Sequence, residues 1–310
     1  MKVIKSLDLA QLQESSIVVA LGSFDGLHLG HQAVIRQTIE NAQEQGIFSG
    51  VYTFSPHPLK IINPAIAPCQ IISPQQKIRL LGEMGIDYYF EQHFTPQFAR
   101  VDYQTFIKNY LVEKLKLKHL VIGEDFRFGK QGRGELTTLE GLGKKYGFSV
   151  SGIKTVRHGG VKISSTRIRE LISQGKLSSI PGLLGRYYQI EGRVVPGHGR
   201  GKKLGFPTAN LEAQTDYVLP PRGVYAVYVN IDNKHYRGLS NFGYNPTFAN
   251  KEYSIEIHIL DFPEREIYGQ TISMELVDYI RKEMTFSSST ELAEQIRKDI
   301  LYTNSLLCYN

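Results

Sequence analysis

The sequence GSFDGLHLGH, residues 22–31, stands between an apolar run, SIVVAL, and a longer mixed segment, QAVIRQTIENAQEQG. The apolar run predicts a buried strand. In the mixed segment Ile35, Ile39 and Ala42 recur at three- and four-residue spacing, which is typical of an amphipathic helix. The stretch 22–31 is therefore predicted to be a strand-to-helix loop, a position at which α/β proteins bind ligands.

Length and composition are those of an ordinary globular protein. The chain has 310 residues, 41% of them hydrophobic and 21% charged, which leaves room for two domains. Cys69 and Cys308 form neither a disulfide framework nor a zinc pattern, so a reducing cytoplasm is predicted. The residues around Lys2 and Lys5 are mixed polar, and no apolar run approaches the roughly 20 residues of a membrane span. We expect no signal peptide and no membrane partner.

The net charge of +6 is compatible with nucleic acid or with small anionic ligands as partners. Most basic residues are scattered, as on a solvated surface, but Arg127–Arg133 and Arg200–Lys203 are clusters interleaved with glycine. Because glycine lets backbone N–H groups approach a ligand closely, these clusters favour phosphate contact.

Two patterns divide the chain. The first half alternates strand-like runs such as SGVYTF and KHLVIG with helical segments, which predicts a parallel sheet with helices on both faces. From Tyr187 onward, short strands and turns predict a barrel or a sandwich, closed by the helix TELAEQIRKDI with Ser289 or Thr290 as its cap. The predicted boundary lies near Pro181–Arg186, giving domains 1–184 and 185–310.

Two histidines end the first loop. His28 and His31 stand three residues apart and so share one face of the first helical turn, where unpaired N–H groups and the helix dipole favour an anion. Both rings are therefore expected to reach one phosphate. The alternative is a polar loop without a ligand. A metal site is disfavoured because zinc needs a third nearby ligand, and the sequence offers none.

Two further segments of the first half suit an anion. GEDFRFGKQGRG, residues 123–134, follows a strand and places Arg127 and Arg133 among glycines, which suits a phosphate or a stacked ring; the alternative is a flexible surface loop. ISSTRIRE, residues 163–170, puts basic residues near a helix N-terminus, where each opposes the dipole by about 0.3–1 kcal/mol. An anion shared with the first loop would explain them; the alternative is a simple cap with solvated arginines.

The second half carries its own polar pattern. In PGHGRGKKLGFPTANL, Thr208 and Asn210 share one face of a strand, and their oxygens are hard ligands suited to Mg²⁺ carried by phosphates. In YSIEIHIL, Glu256 and His258 share a face, and a carboxylate at a barrel mouth is able to take a proton from an alcohol. A polar strand end and an exposed strand face are the respective alternatives.

Together the motifs resemble those of the bacterial bifunctional riboflavin kinase/FAD synthetase family, over nearly the whole chain. GSFDGLHLGH and ISSTRIRE resemble its two nucleotidylyltransferase signatures, and GEDFRFG resembles the flavin-specific element between them. PGHGRGKKLGFPTAN, NFGYNPTF and the Glu-x-His strand followed by LDF resemble its riboflavin kinase domain. The resemblance implies an α/β plus β fold: a Rossmann-like nucleotidylyltransferase domain with a parallel sheet, then a riboflavin-kinase-type β-barrel with a closing helix.

The resemblance also implies two reactions. The second domain would phosphorylate riboflavin to FMN, and the first would join FMN to the α-phosphorus of ATP, giving FAD and pyrophosphate. Both would use ATP with Mg²⁺ and no covalent intermediate, so catalysis would rest on positioning and charge stabilisation. The expected partners are riboflavin, FMN and ATP, without nucleic acid or membrane.

Site residues follow from the same resemblance. Glu256 would be the base for the ribityl 5′-hydroxyl, and His28 and His31 would hold the ATP phosphates. The other ATP- and phosphate-binding residues would be Gly22, Phe24, Asp25, Gly30, Ser165, Thr166, Arg167, Gly199, Lys203, Gly205, Thr208 and Asn210. Flavin would contact Asp125, Phe126, Arg127 and Phe128. Thr208 and Asn210 would also hold the metal.

Departures from the family pattern are small. Phe242 stands where an aliphatic residue is usual, which predicts a change in packing, and Pro181 interrupts a segment that the family continues as a helix. Two other functions stay open at this point. One is a protein in which only the kinase half is active. The other is a non-catalytic flavin- or nucleic-acid-binding regulator, although no helix-turn-helix, zinc finger or aromatic RNA-binding motif is visible.

Overall fold

The structure is a computed structural model that describes residues 1–5, 16–129, 132–197, 201, 204–244, 253–263 and 265–307. The chain divides into two compact units. The first contains residues 1–69 and 74–165, and the second contains residues 70–73 and 166–310. Residues 166–184, which the sequence boundary assigns to the first domain, thus belong to the second unit; the domain boundary itself stays a prediction.

The first unit is built on a six-stranded sheet in which every neighbouring pair is parallel, as the alternating pattern predicts. The strand order is β1-β4-β3-β2-β5-β6. The strands are β1 (Lys2–Lys5), β2 (Ile17–Leu21), β3 (Phe48–Ser55), β4 (Tyr88–His93), β5 (Leu117–Gly123) and β6 (Ser149–Ile153). β1 was not predicted, because four residues with one buried side chain carry no periodic signal.

Helices connect these strands. They are α1 (Leu29–Gln45), α2 (Pro58–Ile62), α3 (Pro74–Glu83), α4 (Tyr103–Phe106) and α5 (Leu136–Tyr146), with 3₁₀ turns at Pro64–Ile66 and Phe98–Arg100. α4 is followed directly by a π-helical segment, Ile107–Glu113. A short hairpin, β7 (Arg157–His158) and β8 (Val161–Lys162), follows β6.

The strand order determines where a ligand fits. β2 lies between β3 and β5, so the order changes direction between β2 and β5. Ligands of such sheets bind outside the carboxyl ends of the strands at this switch point. The loop after β2 and the loop after β5 both begin at this point, although about a hundred residues separate them in sequence.

The second unit contains a closed antiparallel barrel of order β10-β13-β12-β11-β14-β9, which decides between the barrel and the sandwich. Its strands are β9 (Tyr188–Val195), β10 (Ala209–Ala213), β11 (Gly223–Ile231), β12 (Lys234–Tyr244), β13 (Tyr253–Ile259) and β14 (Thr271–Arg281). Its helices are α6 (Ser165–Ser173, of which Ser165 belongs to the first unit), α7 (Pro181–Leu184) and α8 (Ser289–Leu306), with a 3₁₀ turn at Leu177–Ser179.

Three local features of this unit bear on expectations from the sequence. The cap of α8 is Ser288, whose hydroxyl accepts from the Glu291 N–H; the prediction of Ser289 or Thr290 was wrong. Pro181 opens α7 rather than interrupting a helix, because its missing N–H is not needed in the first turn. Phe242 is fully buried in the barrel with its ring 5.2 Å from the Tyr225 ring, which agrees with a packing change.

Candidate active sites

The loop after β2 has an unusual backbone. Phe24, Gly26 and Leu27 all have positive φ angles, 49°, 86° and 42°. For Phe24 and Leu27 this conformation costs on the order of 1–3 kcal/mol each, so the surroundings must hold it. They do so at two carbonyl groups. Thr53 Oγ1 and Lys77 Nζ donate to the Ser23 oxygen at 3.2 and 2.7 Å, and Ser165 Oγ donates to the Asp25 oxygen at 2.8 Å.

His28 ends this loop as the N-cap of α1. Its Nδ1 accepts the backbone N–H of His31 at 3.2 Å, so Nδ1 carries no proton and the proton of the neutral ring lies on Nε2. The two imidazole rings are stacked, with centroids 3.6 Å apart and planes 15° from parallel. The predicted pairing of these histidines on one helical turn is present, and in this tautomer Nε2 of His28 is the donor nitrogen of the ring.

His31 is held neutral. Burial lowers its pKa well below the usual range, and the electrostatic influence of the neighbouring His28 and of Lys77 lowers this pKa further. Its Nδ1 is buried and has no hydrogen-bond partner among the described residues. A buried polar atom without a partner is expensive, and it is the kind of group that a ligand satisfies.

The three predicted segments of the first unit line one cavity of about 280 Å³. Nine of the predicted residues line it: Gly22, Phe24, His28, Gly30, His31, Asp125, Phe126, Arg127 and Ser165. Asp25 is buried beside it and holds Ser165 through its carbonyl. A Cβ at Gly30 would come 3.1 Å from the His28 ring, so a larger residue there would press on this side chain.

Three other predicted residues are placed elsewhere. Phe128 is buried in the hydrophobic core, with its ring stacked parallel to that of Phe126 at 6.1 Å. Thr166 and Arg167 lie in the first turn of α6, in the second unit; Thr166 is exposed, and Arg167 forms an ion pair with Glu170 at 3.2 Å.

The second candidate site lies on the outer face of the barrel. Glu256 on β13 is paired in register with Asn210 on β10 and with Asn241 on β12, so the three side chains stand side by side on one face. Ile255 and Ile257 point the other way and are buried, whereas Glu256 is half-buried. This alternation confirms the predicted face of Glu256 and adds Asn241 to it.

Thr208 and Asn210 are packed against glycines. A Cβ at Gly197 would overlap the Asn210 amide, and a Cβ at Gly201 would come 3.3 Å from Thr208 Oγ1 and would also overlap the Phe206 carbonyl. The hydroxyl oxygen of Thr208 and the amide oxygen of Asn210 are uncharged hard donors, which fit Mg²⁺ when phosphates supply the negative charge. Gly205 stands in a turn with φ of 83°, and Gly199 and Lys203 lie outside the described residues.

Comparison with known proteins finds one family for the first part of the chain and another for the second part. The FAD synthetase family matches residues 10–167, and the riboflavin kinase family matches residues 184–307. A bifunctional riboflavin kinase/FMN adenylyltransferase of Listeria monocytogenes is 39% identical over 91% of this chain and 90% of its own length. The chain belongs to the bifunctional riboflavin kinase/FMN adenylyltransferase family. The resemblance found in the sequence is thereby confirmed.

Other proteins are similar to this chain over nearly its whole length. The Escherichia coli K12 bifunctional riboflavin kinase/FMN adenylyltransferase is 37% identical over 97% of this chain and 96% of its own. A crystal structure described as a macrolide-efflux protein from Streptococcus pneumoniae has 32% identity and a TM-score of 0.86, covering 98% of this chain and 99% of that chain. Within the described part of this family member, no helix is long and apolar enough to span a membrane.

Some residues near this family's motifs were missed in the sequence. Lys162 lines the cavity and forms an ion pair with Asp125, and Asn241 stands beside Glu256. Both residues lie within or next to the motifs named in the sequence analysis, so their nearness to those motifs could have indicated them. Lys77 gave no such signal: it is one basic residue in an amphipathic helix, and only the fold brings it to the loop after β2.

Proposed function

We propose that this chain converts riboflavin to FMN and then FMN to FAD, using ATP in both steps. The observation that carries the proposal is the stacked pair His28 and His31, which lies at the N-terminus of α1 in a cavity lined by three separate loops. Membership of the bifunctional family supports both activities.

For FAD formation, an oxygen of the FMN phosphate attacks the α-phosphorus of ATP. A new phosphorus–oxygen bond forms, the bond from the α-phosphorus to the bridging oxygen breaks, and pyrophosphate leaves with the electron pair. His28 and His31 donate to the phosphate oxygens as neutral imidazoles, and the N-terminal end of the α1 dipole adds to this stabilisation. Gly22, Phe24 and Gly30 keep the phosphates close to the backbone, and Ser165, Thr166 and Arg167 bind the far end of the triphosphate.

The flavin lies along the segment after β5. Phe126 and Arg127 border the cavity and suit a planar ring, and Asp125 borders it beside Lys162. Phe128 supports Phe126 from the core rather than reaching the cavity, because its side chain is buried. We therefore assign it an indirect part in flavin binding.

For FMN formation, Glu256 accepts the proton of the ribityl 5′-hydroxyl as that oxygen attacks the γ-phosphorus of ATP, and ADP leaves. Thr208 and Asn210 hold Mg²⁺, which neutralises phosphate charge when bound. Gly199, Lys203 and Gly205 belong to the glycine-rich segment that binds the nucleotide phosphates. We place the two activities in domains 1–184 and 185–310 of a cytoplasmic protein.

Purified protein incubated with riboflavin, ATP and Mg²⁺ tests the proposal, with flavins separated chromatographically over time. We expect FMN to rise first and then give way to FAD. FMN that accumulates without FAD, even with reduced flavin, would remove the adenylyltransferase activity and leave a kinase. Tight, salt-sensitive nucleic-acid binding without any turnover would favour the regulator instead.

A further inference from the structure

Lys77 is a basic residue outside every motif of the chain. It lies in the first turn of α3, and its Nζ donates to the carbonyl oxygen of Ser23 at 2.7 Å. That carbonyl immediately precedes Phe24, the first of the left-handed residues in the loop after β2. The same carbonyl oxygen also accepts a hydrogen bond from Thr53 Oγ1, so two side chains from different elements hold one peptide group.

Burial is the largest influence on the pKa of Lys77 and lowers it, and the carboxylates of Asp25 and Glu91 offset part of that shift. The ammonium group of Lys77 is directed at the backbone carbonyl of Ser23. A charge-assisted hydrogen bond of this kind is about twice as strong as a neutral one.

We propose that Lys77 is a positioning residue for adenylyl transfer, whose ammonium clamps the loop after β2 and sets a fixed positive charge beside the stacked histidines. The inference rests on the proposed FAD-forming function of this cavity. Without the clamp at Ser23, the strained turn at Phe24 and Leu27 loses one of its two supports there. The helix start that presents His28 and His31 would then shift.

The fixed charge has a second consequence. The positive charge of Lys77 is one of the causes that keep the pKa of His31 low, together with burial and His28. The remaining charged groups that border the cavity are Asp125, Arg127, Lys154 and Lys162. Burial, His28 and Lys77 together therefore keep His31 uncharged as pH falls toward the usual range of histidine.

The experiment compares Lys77→Met, which keeps the length of the side chain and removes the charge, with Lys77→Arg, which keeps the charge. Lys144→Met, at an exposed lysine in the last turn of α5, is the matched control. FAD formation from supplied FMN is measured against ATP concentration and pH. FMN formation from riboflavin by the same preparations reports on the other unit.

We expect Lys77→Met to lower kcat for FAD formation about tenfold or more, because small displacements of positioned groups have effects of that size. In this variant the acid limb of the pH profile of FAD formation should move to higher pH, because loss of the neighbouring charge raises the pKa of His31. Lys77→Arg should recover most of the activity, and Lys144→Met should match the unmodified protein. FMN formation should be unchanged throughout.

Other results would overturn the inference. One such result is a rate of FAD formation by Lys77→Met within about twofold of that of Lys144→Met. Another is a loss of activity that is equal at every pH and is not rescued by Lys77→Arg, because a residue with a merely structural role would give that pattern. If Lys77→Met does not fold, Lys77→Gln and Lys77→Arg compared at each pH decide in the same way. Absence of FAD formation by the unmodified protein would instead refute the proposed function.

Discussion

The Nδ1 atom of His258 lies 2.8 Å from the carbonyl oxygen of Pro207. Because a carbonyl only accepts, Nδ1 must carry a proton, so this ring nitrogen is a donor. The ring also meets Phe206 edge to face, with centroids 5.6 Å apart. His258 is two residues from Glu256 on the same strand face, and Pro207 immediately precedes Thr208. One side chain thus ties the strand of the proposed base to the start of the strand that carries the proposed Mg²⁺ ligands.

Loss of this hydrogen bond should weaken nucleotide binding in the kinase half. We expect His258→Phe, which keeps a ring but no donor, to raise KM for ATP in FMN formation by about tenfold. His235→Phe, at an exposed position of β12, is the control. Steady-state kinetics at varied ATP and saturating Mg²⁺ measures the effect. An unchanged KM would show that the hydrogen bond from His258 to Pro207 does not contribute to nucleotide binding.

Glu256 is predicted to be required for FMN formation alone. Glu256→Gln keeps the shape of the side chain but is unable to take a proton, so we expect FMN formation to fall by about 10²–10⁴-fold. FAD formation from supplied FMN should persist. Glu212→Gln, at an exposed position of β10, serves as the control. Undiminished FMN formation by Glu256→Gln would remove the assignment of Glu256 as base.

His28 has two separable tasks, capping α1 and donating to phosphate. Asparagine is a good N-cap but lacks the imidazole, so His28→Asn should abolish FAD formation with little change in thermal stability. His28→Ala should lose activity and also about 0.5–2 kcal/mol of stability. Calorimetry and flavin chromatography on the same samples distinguish the two tasks. Retained FAD formation in His28→Asn would contradict the role of the ring.

A buried ion pair attaches α8 to the barrel. The Arg281 guanidinium donates to both Asp299 carboxylate oxygens at 2.7–3.0 Å, and Gln295 Nε2 donates to Oδ1 at 2.8 Å. Asp299→Asn removes the charge of the buried partner and leaves the partly buried Arg281 guanidinium uncompensated, so we expect a loss of about 3–5 kcal/mol in the free energy of unfolding.

The matched control for that pair is exposed. Asp232→Asn removes the partner of Arg265, 2.7 Å away with both side chains well exposed, and should cost under about 1 kcal/mol. Urea titration of the second unit measures both variants. Equal effects of Asp299→Asn and Asp232→Asn would mean that burial of the Arg281 pair contributes nothing.

Two histidines of the first unit should make its stability depend on pH. Burial lowers the pKa of both His31 and His119. The unfolded chain therefore takes up protons at a higher pH than the folded unit does, so stability is full above about pH 6.5 and falls as pH drops below it.

His119 offers a test outside the proposed catalytic cavity. Its ring contacts Ser149 Oγ and Ser151 Oγ, each at 2.8 Å, and Asn41 Nδ2 at 3.2 Å. His119→Gln keeps a polar side chain but does not titrate, so the fall in thermal midpoint between pH 7.5 and 5.5 should become smaller. An identical slope in His119→Gln would show that other groups control the acid sensitivity.

Most of the candidate site was readable because its residues are local in sequence. The spacing of His28 and His31 placed both on one helical turn. The alternation in YSIEIHIL placed Glu256 on the strand face opposite the isoleucines. Such periodicities depend only on the geometry of a single helix or strand. Lys77 could not be found in this way, because its contact with Ser23 joins residues far apart in the chain.

The sequence by itself determined the family, the parallel sheet of the first half, the short strands of the second and the motif residues, since each depends on local pattern. Only the tertiary structure decided the order in which the barrel strands pair, that Phe128 lies in the core, and that Asn241 stands beside Glu256. These features depend on strand pairing and packing between distant segments. Such pairings are selected by the burial of the whole unit, and no local pattern specifies them.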